Sequence, residues 1–382
     1  MTNIPPAEIG MAESEVDTPA LLVDLDVFQD NLAHMACQIK GDEVRFRPHA
    51  KTHKCPEIAL RQIELGAIGV CCQKVGEAEA MVAGGVGDVL VSNQVVGSSK
   101  LERLAKLAGE ARIGVCVDNA ENIKDLGRAV DNAKTTLGVL VEIDVGARRC
   151  GVEPGQQALD LARLVADTPG LQFEGLQAYH GPAQHLREYA QRQEAIQSAA
   201  NLARETQELL LANGLPCQTI AGAGTGTYPF ELASGVYNEL QAGSYIFMDA
   251  DYGRNLGVDG KPWREYRQSL FVLATVMSAP VPERAVLDAG LKALSVDSGL
   301  PLVANRNPEH PGEEPHITFS GASDEHGTLQ LEALAKPLRV GEKIRVIPGH
   351  CDPTVNLYDW LVGVRDGRVE ELWPITARGA SR

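Results

Sequence analysis

The sequence of 382 residues predicts an α/β fold, namely a (β/α)8 TIM-type barrel with a second, all-β C-terminal domain. Eight short apolar runs alternate with longer stretches of helical pattern, which is typical of a closed parallel barrel. No G-x-G-x-x-G follows the first of these runs, and its absence argues against the competing open, doubly wound sheet. Beyond about Asp251 the helical patterns nearly disappear, so the remaining residues are expected to form a separate β domain.

The eight apolar runs are the predicted strands of the barrel. They are Val44–Arg47, Ile68–Cys72, Asp88–Ser92, Ile113–Val117, Leu137–Val145, Phe173–Tyr179, Cys217–Ala221 and Glu239–Phe247. Between them, apolar residues recur at helical spacing, as Leu101, Leu104, Ala105 and Ala108 do. About 250 residues suffice for such a barrel, which leaves room for a small second domain.

The second domain is predicted from strand-like runs joined by turns. These runs are Ser269–Met277, Arg284–Ala289, Lys343–Ile347, Trp360–Arg365 and Arg368–Trp373. Asp366-Gly367 separates the last two and predicts a hairpin. An earlier run, Ala20–Leu25, precedes the first helical stretch and fits a strand outside the barrel. We therefore expect residues 26–255 to form the barrel and residues 1–25 with 256–382 to form the β domain.

Charge and composition exclude several functional classes. With 35 basic and 51 acidic residues, the net charge of −16 repels phosphate backbones and argues against a nucleic-acid partner. No apolar stretch is long enough to cross a membrane, and the first residues lack the pattern of a secretory signal. Eight cysteines without a C-x-x-C pair fit a cytoplasmic protein that has no structural disulfides.

The first candidate site is the basic segment Arg47–Lys54, which follows the first barrel strand. The carboxyl ends of barrel strands face the active site, so a lysine there can project into the mouth. Burial and nearby cations are expected to lower its pKa, and a neutral amine can form a Schiff base with an aldehyde. Lys51 is favoured over Lys54 because it is closer to the strand. A solvated basic loop is the alternative interpretation.

The second candidate is the glycine-rich loop Ala221–Tyr228, which follows the seventh barrel strand. Its exposed backbone N–H groups and threonine hydroxyls suit a phosphate, which barrels often bind after their late strands. The residues concerned are Gly222, Gly224, Thr225, Gly226 and Thr227. A flexible loop without a ligand is the alternative.

The third candidate is His350 with Asp352, just after the predicted strand Lys343–Ile347. Imidazole with carboxylate suits Mn²⁺, Mg²⁺ or Zn²⁺, and two protein ligands leave positions open for water or substrate. A turn in which Asp352 caps and His350 packs is the alternative. Weaker candidates follow other strands, namely Arg148-Arg149, Tyr179-His180 and His185.

Taken together, these segments resemble the fold-type III pyridoxal-phosphate family. The family includes D-threonine aldolase, D-serine dehydratase and 3-hydroxy-D-aspartate aldolase, with alanine racemase as a more distant member. The resemblance covers nearly the whole chain. It extends through Thr18–Asp26, Arg47–Lys54, Val141–Gly151, Gly222–Thr227, Gly243–Asp249 and Pro348–Asp352.

The resemblance implies an alanine racemase-like fold and a role for each candidate residue. Lys51 would bind pyridoxal 5'-phosphate covalently, and the loop Gly222–Thr227 would hold its phosphate, assisted by Tyr245. Arg149 would contact the cofactor ring. His350 and Asp352 would bind a divalent ion, and Tyr179 and His185 would line the substrate side.

The position of Asp352 implies the branch within the family. D-serine dehydratases resemble this chain but carry His-x-Cys, which favours Zn²⁺, whereas a carboxylate suits Mn²⁺ or Mg²⁺. The implied activity is metal-dependent retro-aldol cleavage of D-threonine and other D-3-hydroxy amino acids. A 3-hydroxy-D-aspartate aldolase is the close alternative, followed by a D-serine dehydratase-type lyase. A racemase and a non-catalytic carrier of the cofactor are further rivals.

The resemblance also implies a homodimer, and it leaves the proton acceptor open. Either His185 or a hydroxide on the ion would take the proton of the β-hydroxyl. The preferred β-substituent of the substrate, which could be methyl, carboxylate or aryl, also stays open.

Overall fold

The computed structural model describes residues 4–41, 43–305 and 314–382, which form two β-sheets with helices around one of them. The strands are β1 (Ala20–Asp24), β2 (Arg45–Phe46), β3 (Val70–Cys72), β4 (Asp88–Gln94), β5 (Arg112–Val117), β6 (Leu137–Glu142), β7 (Leu171–Gln177), β8 (Thr219–Gly222), β9 (Glu239–Leu240), β10 (Leu270–Val281), β11 (Arg284–Leu287), β12 (Leu302–Val303), β13 (Ile317–Ala322), β14 (Gly327–Leu331), β15 (Lys343–Ile347), β16 (Trp360–Arg365) and β17 (Arg368–Pro374). The α-helices are α1 (Leu25–Gln38), α2 (Pro56–Glu64), α3 (Val75–Ala83), α4 (Ser98–Leu107), α5 (Ala120–Ala133), α6 (Gln156–Asp167), α7 (Tyr189–Ala212), α8 (Tyr228–Ala233) and α9 (Cys351–Val355).

The predicted barrel is confirmed. Strands β2 to β9 form an eight-stranded parallel sheet, each of them within or overlapping a predicted run. A parallel bridge between His49 and Cys71 joins β2 to β3 and closes the sheet into a barrel. The last predicted run, Glu239–Phe247, is a strand only as far as Leu240, because the chain then bends into a short 3-10 helix, Ser244–Ile246.

The barrel interior is filled by small and medium side chains. A separate buried cluster consists of Cys71, Leu90, Cys116, Leu140 and Ala221, which come from five different strands. Neighbouring residues on the same strands, such as Val89 and Val91, belong instead to the large core shared with the surrounding helices. This alternation is what the two-residue period of a strand requires, and it makes the barrel a packed core with its site at the mouth.

The second sheet has nine strands and is mainly antiparallel. Its long path runs β13-β14-β11-β10-β1-β16-β17, and β15 pairs with β10 and β12. Strand β1 lies between β10 and β16, so the N-terminal strand belongs to the sheet that the C-terminal residues build. The five predicted strands are present, whereas β12, β13 and β14 were not predicted.

Two features position the functional loops. Asp24 ends β1 and caps α1 by accepting a hydrogen bond from the Val27 amide at 3.1 Å, so one residue links the second sheet to the first helix. The short helix α9 follows β15 and brings the residues at its start to the barrel mouth. None of the helices among the described residues is both long and apolar enough to cross a membrane.

Candidate active site at the barrel mouth

A cavity of about 300 Å³ lies at the carboxyl ends of the barrel strands. It is lined by His49, Lys51, Thr52, Gln73, Ser92, Glu142, Arg149, Gln177, Tyr179, Ala223, Gly224, Thr225, Gln241, Gly243, Ser244 and Tyr252. Nearly all of these residues end a barrel strand or follow one, so the mouth of the barrel is the candidate active site.

Lys51 lies in this cavity and forms an ion pair with Asp352. Burial lowers the pKa of the Lys51 amine, but the Asp352 carboxylate outweighs burial and the net shift is upward. The expectation that burial and nearby cations lower this pKa was therefore wrong, because the partner on α9 is an anion that lies 301 positions away in the chain. Lys54 instead pairs with Glu77 at 2.7 Å, outside the cavity lining.

The glycine-rich loop divides into a front and a back. Gly224 and Thr225 line the cavity, together with Ala223. The Thr225 hydroxyl is buried and has no hydrogen-bond partner among the described residues. A buried donor left unpaired costs free energy, so this hydroxyl fits an acceptor such as a phosphate oxygen of a bound cofactor.

The back of the loop packs against Gln184 and does not line the cavity. The Gly226 amide donates to Gln184 Oε1 at 2.9 Å, and Gln184 Nε2 donates to Thr227 Oγ1 at 2.7 Å. A Cβ added at Gly224 would come within 2.5 Å of Gln184 Oε1. A Cβ added at Gly222 would come within 2.8 Å of the Ala178 carbonyl oxygen. The glycines thus allow close packing behind the loop.

Tyr245, expected to assist the phosphate, does not line this cavity. The short 3-10 helix turns Ser244 into the cavity and Tyr245 away from it. The Tyr245 hydroxyl accepts a hydrogen bond from Gln62 Nε2 at 3.0 Å and faces a different cavity, beside Phe46. Tyr252, which the sequence interpretation missed, is the tyrosine from this part of the chain that lines the barrel mouth.

Arg149 and Tyr179 line the cavity together. The Arg149 guanidinium lies over the Tyr179 ring, 5.7 Å from its centroid, which is a cation–π contact. Burial raises the pKa of the Tyr179 hydroxyl, and the nearby cations Lys51 and Arg149 only partly offset this rise. The phenol is therefore neutral and can donate a hydrogen bond into the cavity.

His185 lies at the rim, outside the cavity lining. It ends the 3-10 helix Pro182–His185, and its Nδ1 lies 2.5 Å from Asp251 Oδ2. Its ring centroid is 5.8 Å from that of Tyr252. Burial raises the pKa of Asp251, but hydrogen bonds from His185 and Arg187 outweigh burial and lower it to about 2. The ionised Asp251 thus orients the His185 ring through Nδ1.

His350 and Asp352 meet at the start of α9, next to Lys51. His350 Nδ1 lies 2.8 Å from Asp297 Oδ2, and Ser244 Oγ donates to Asp352 Oδ1 at 3.4 Å. A carboxylate on one ring nitrogen is the usual arrangement for a histidine that binds a metal through the other. The described residues contain no group of three or more His, Cys, Asp or Glu side chains that could hold an ion. His350 and Asp352 offer two donors of the types that divalent ions bind, and an ion held there would need water or substrate to complete its shell.

Several lining residues were missed by the sequence interpretation although a signal was present. His49, Gln73, Ser92, Gln177 and Gln241 each end a barrel strand or follow one within a few residues. Polar residues at those positions are the expected lining of a barrel mouth. Asp251 and Asp297 carried no such signal, because the contacts that explain them are long-range.

Two family models match the chain. The alanine racemase N-terminal domain matches residues 23–251, and the putative serine dehydratase domain matches residues 269–364.

Relatives match nearly the whole length. D-threonine aldolase of Arthrobacter sp is 50% identical, covering 99% of this chain and 97% of the relative. The 3-hydroxy-D-aspartate aldolase of Paracoccus denitrificans (strain Pd 1222) is 46% identical, covering 98% and 95%. The crystal structure of D-threonine aldolase from Filomicrobium marinum superposes with a TM-score of 0.93 at 49% identity, covering 99% of this chain and 100% of that one. The chain therefore belongs to the alanine racemase N-terminal domain family, in the branch that contains D-threonine aldolase and 3-hydroxy-D-aspartate aldolase.

Proposed function

We propose that this chain is a pyridoxal 5'-phosphate- and divalent-metal-dependent D-threonine aldolase. It cleaves D-threonine and other D-3-hydroxy amino acids to glycine and an aldehyde. The observation that carries the proposal is the contact of Lys51, which lines the cavity, with Asp352; in the proposal the lysine binds the cofactor and the carboxylate binds the metal. Full-length similarity to aldolases of this substrate class supports it.

The cofactor would be held from both sides of the mouth. Lys51 would bind its aldehyde carbon, and the unpaired hydroxyl of Thr225 would donate to its phosphate. Arg149 would contact the ring from its position over Tyr179. When bound, pyridoxal 5'-phosphate supplies an electron sink for the bond between Cα and Cβ.

The ion would be held by His350 and Asp352, and we propose Mn²⁺, with Mg²⁺ as the alternative. A carboxylate together with an imidazole suits Mn²⁺ and Mg²⁺, whereas a thiolate ligand would favour the softer Zn²⁺. Cys351 lies between the two ligands, but it is fully buried and its thiol donates to Asp352 Oδ1 at 3.4 Å. A bound divalent ion supplies Lewis acidity that makes the β-hydroxyl easier to deprotonate.

His185 would take the proton of the β-hydroxyl. Asp251 occupies its Nδ1, so Nε2 would be the proton acceptor. When the proton leaves, the Cα–Cβ bond breaks, the β-carbon departs as the aldehyde and Cα is later reprotonated to glycine. For D-threonine the products are glycine and acetaldehyde.

Cleavage of 3-hydroxy-D-aspartate to glycine and glyoxylate is the second candidate, and one feature of the rim favours it. Asp251 contacts both Arg187 and Arg254, so one carboxylate faces two guanidinium groups. Arg254 Nη1 also donates to the Ser298 carbonyl oxygen at 3.2 Å, and Ser298 Oγ lies 3.4 Å from His350 Nδ1. A guanidinium group close to the proposed metal ligands would suit a second carboxylate on the substrate.

A turnover assay tests the proposal. Protein supplied with pyridoxal 5'-phosphate and Mn²⁺ should release equal amounts of glycine and acetaldehyde from D-threonine, and none from L-threonine. Comparison of kcat/KM for D-threonine and D-3-hydroxyaspartate decides between the two candidates. Release of pyruvate from D-serine, with no glycine from either hydroxy amino acid, would contradict the aldolase assignment.

We also propose a homodimer located in the cytoplasm, with the boundaries given above for the barrel and the β domain. The position of β1 in the second sheet supports those boundaries. All eight cysteines are free, which suits a reducing compartment.

Exposed apolar side chains, among them Val258 (83% exposed) and Leu300 (39%), offer surface for a second copy. A monomeric mass by light scattering, with full activity, would refute the dimer.

A further inference from the structure

A buried carboxyl group lies directly behind the glycine-rich loop. Glu231, in α8, is 1% exposed. Its Oε1 accepts a hydrogen bond from the Thr227 hydroxyl at 2.8 Å, whereas its Oε2 has no partner among the described residues. The other titratable groups that its charge affects are the phenols of Tyr179 and Tyr237. Among the described residues, no cation stabilises its charge.

Glu231 is connected to the back of the loop by buried hydrogen bonds. Thr227 Oγ1 receives a hydrogen bond from Gln184 Nε2, and Gln184 Oε1 receives one from the Gly226 amide. Glu231, Thr227 and Gln184 are each at most 1% exposed. By accepting its hydrogen bond, the carboxyl group fixes the orientation of the Thr227 hydroxyl. That hydroxyl in turn fixes the orientation of the Gln184 amide, whose oxygen holds the Gly226 amide of the loop.

An ionised carboxylate at this place is doubly unfavourable. A buried charge without a cation loses its hydration without compensation. A phosphate bound at Thr225, two residues before Thr227, would add repulsion between two anions in a poorly screened region. The neutral acid avoids both costs, and burial raises the pKa of Glu231 to about 8.

We infer that Glu231 is a positioning residue that, as a neutral carboxylic acid, holds the glycine-rich loop in shape for the cofactor phosphate, and that losing its proton weakens the hold on that phosphate. This inference rests on the proposed function, because that function places the phosphate at the loop. Glu231 touches no substrate, and its effect passes through Thr227 and Gln184.

The test follows the phosphate of the bound cofactor in the full-length holoenzyme by ³¹P nuclear magnetic resonance between pH 6.5 and 9. In the wild type the bound resonance should move with a midpoint above about 8, the pKa that burial alone gives Glu231, because the charge of the phosphate raises that pKa further. In Glu231→Gln, which keeps a neutral side chain of the same size, the resonance should stay fixed over that step. Glu205→Gln, an exposed change on α7 that alters net charge equally, should titrate like the wild type.

A second readout is the rate at which the cofactor leaves on dilution. In the wild type this rate should rise by up to about tenfold from pH 7 to pH 9, because a shift of one unit in the pKa of Glu231 on phosphate binding corresponds to a tenfold change in affinity. In Glu231→Gln the rate should rise less than twofold. A flat wild-type resonance, or an unchanged midpoint in Glu231→Gln, would overturn the inference. If no protein-bound phosphorus resonance exists at any pH, the proposed function itself fails.

Discussion

The two ends of the barrel-mouth cavity hold their polar groups in opposite ways. At the loop end, the Thr225 hydroxyl is buried without a partner, and the side chain behind the loop, Gln184, is neutral. At the lysine end, ionisable groups are paired with one another, as Lys51 is with Asp352 and His350 with Asp297. The loop end is therefore built to receive one ligand group and hold it. The lysine end carries charges that must exchange partners when cofactor, ion and substrate enter.

Removing the lysine should have the largest effect. Lys51→Ala deletes the amine that would bind the cofactor, so cleavage of D-threonine should fall by about 10³-fold or more. Borohydride treatment of the wild type should attach the cofactor to Lys51, as peptide mass spectrometry would show. Lys54→Ala is the control, since Lys54 pairs with Glu77 outside the cavity lining. Full activity in Lys51→Ala would show that Lys51 is not the residue that binds the cofactor.

Changing the rim histidine should have the next largest effect. His185→Ala should lower kcat by about 10²–10⁴-fold with little change in cofactor affinity, because this residue lies outside the cavity lining. Asp251→Asn should give a smaller loss, since it disturbs the orientation of the ring and leaves its nitrogen in place. Steady-state kinetics on D-threonine measures both. A decrease of only a few-fold in His185→Ala would assign the proton transfer to another group.

At the loop end, we expect a substitution to weaken cofactor binding and to leave catalysis almost unchanged. Thr225→Val removes the unpaired hydroxyl, and loss of one hydrogen bond to a charged phosphate should weaken cofactor affinity by about 10-fold or more. The value of kcat at saturating cofactor should stay within about twofold. Equilibrium titration with pyridoxal 5'-phosphate, with Thr225→Ser as the control that keeps the hydroxyl, measures the difference. Equal affinities for all three proteins would remove Thr225 from the phosphate site.

One buried histidine near the lysine end should affect stability and not chemistry. Burial lowers the pKa of His53 from 6.5 to about 4, because the fully buried ring cannot be hydrated when charged. Above pH 6.5 the ring is neutral in both the folded and the unfolded chain. As the pH falls from 6.5 towards 4, only the unfolded chain takes up this proton, so the free energy of unfolding should fall by up to about 3 kcal/mol.

Urea unfolding of wild type and His53→Gln at pH 7 and pH 5 measures this contribution. Substitution lowers stability at both pH values, but it should remove part of the difference between them. An identical difference in the two proteins would show that His53 is protonated equally in the folded and unfolded chains.

The sequence predicted the barrel because its strands are continuous in the chain and their pattern is local. It also placed Lys51 and Thr225 at the mouth, since each follows a strand. It did not reveal the pair Lys51–Asp352, which spans 301 positions and reverses the expected direction of the pKa shift. It could not show that Ser244 lines the cavity and Tyr245 does not, because a single turn of 3-10 helix points successive side chains in different directions.

The missed strands of the second sheet did carry a signal. In β13 the buried residues Ile317 and Phe319 alternate with exposed Thr318 and Ser320, and β14 alternates in the same way. Such a period of two is typical of a half-buried antiparallel strand. Strand β12 has only two residues and is defined by its pairing with β15, so no local pattern could have predicted it.

The most direct test of the division between the two ends is removal of the ion from the holoenzyme with EDTA. If the ion on His350 and Asp352 serves cleavage while Lys51 and Thr225 hold the cofactor, chelation should lower the rate on D-threonine by at least about 100-fold. The visible absorbance of the bound cofactor should persist, and added Mn²⁺ should restore the rate. Cleavage at the original rate after chelation, or release of the cofactor together with the ion, would contradict this division of roles.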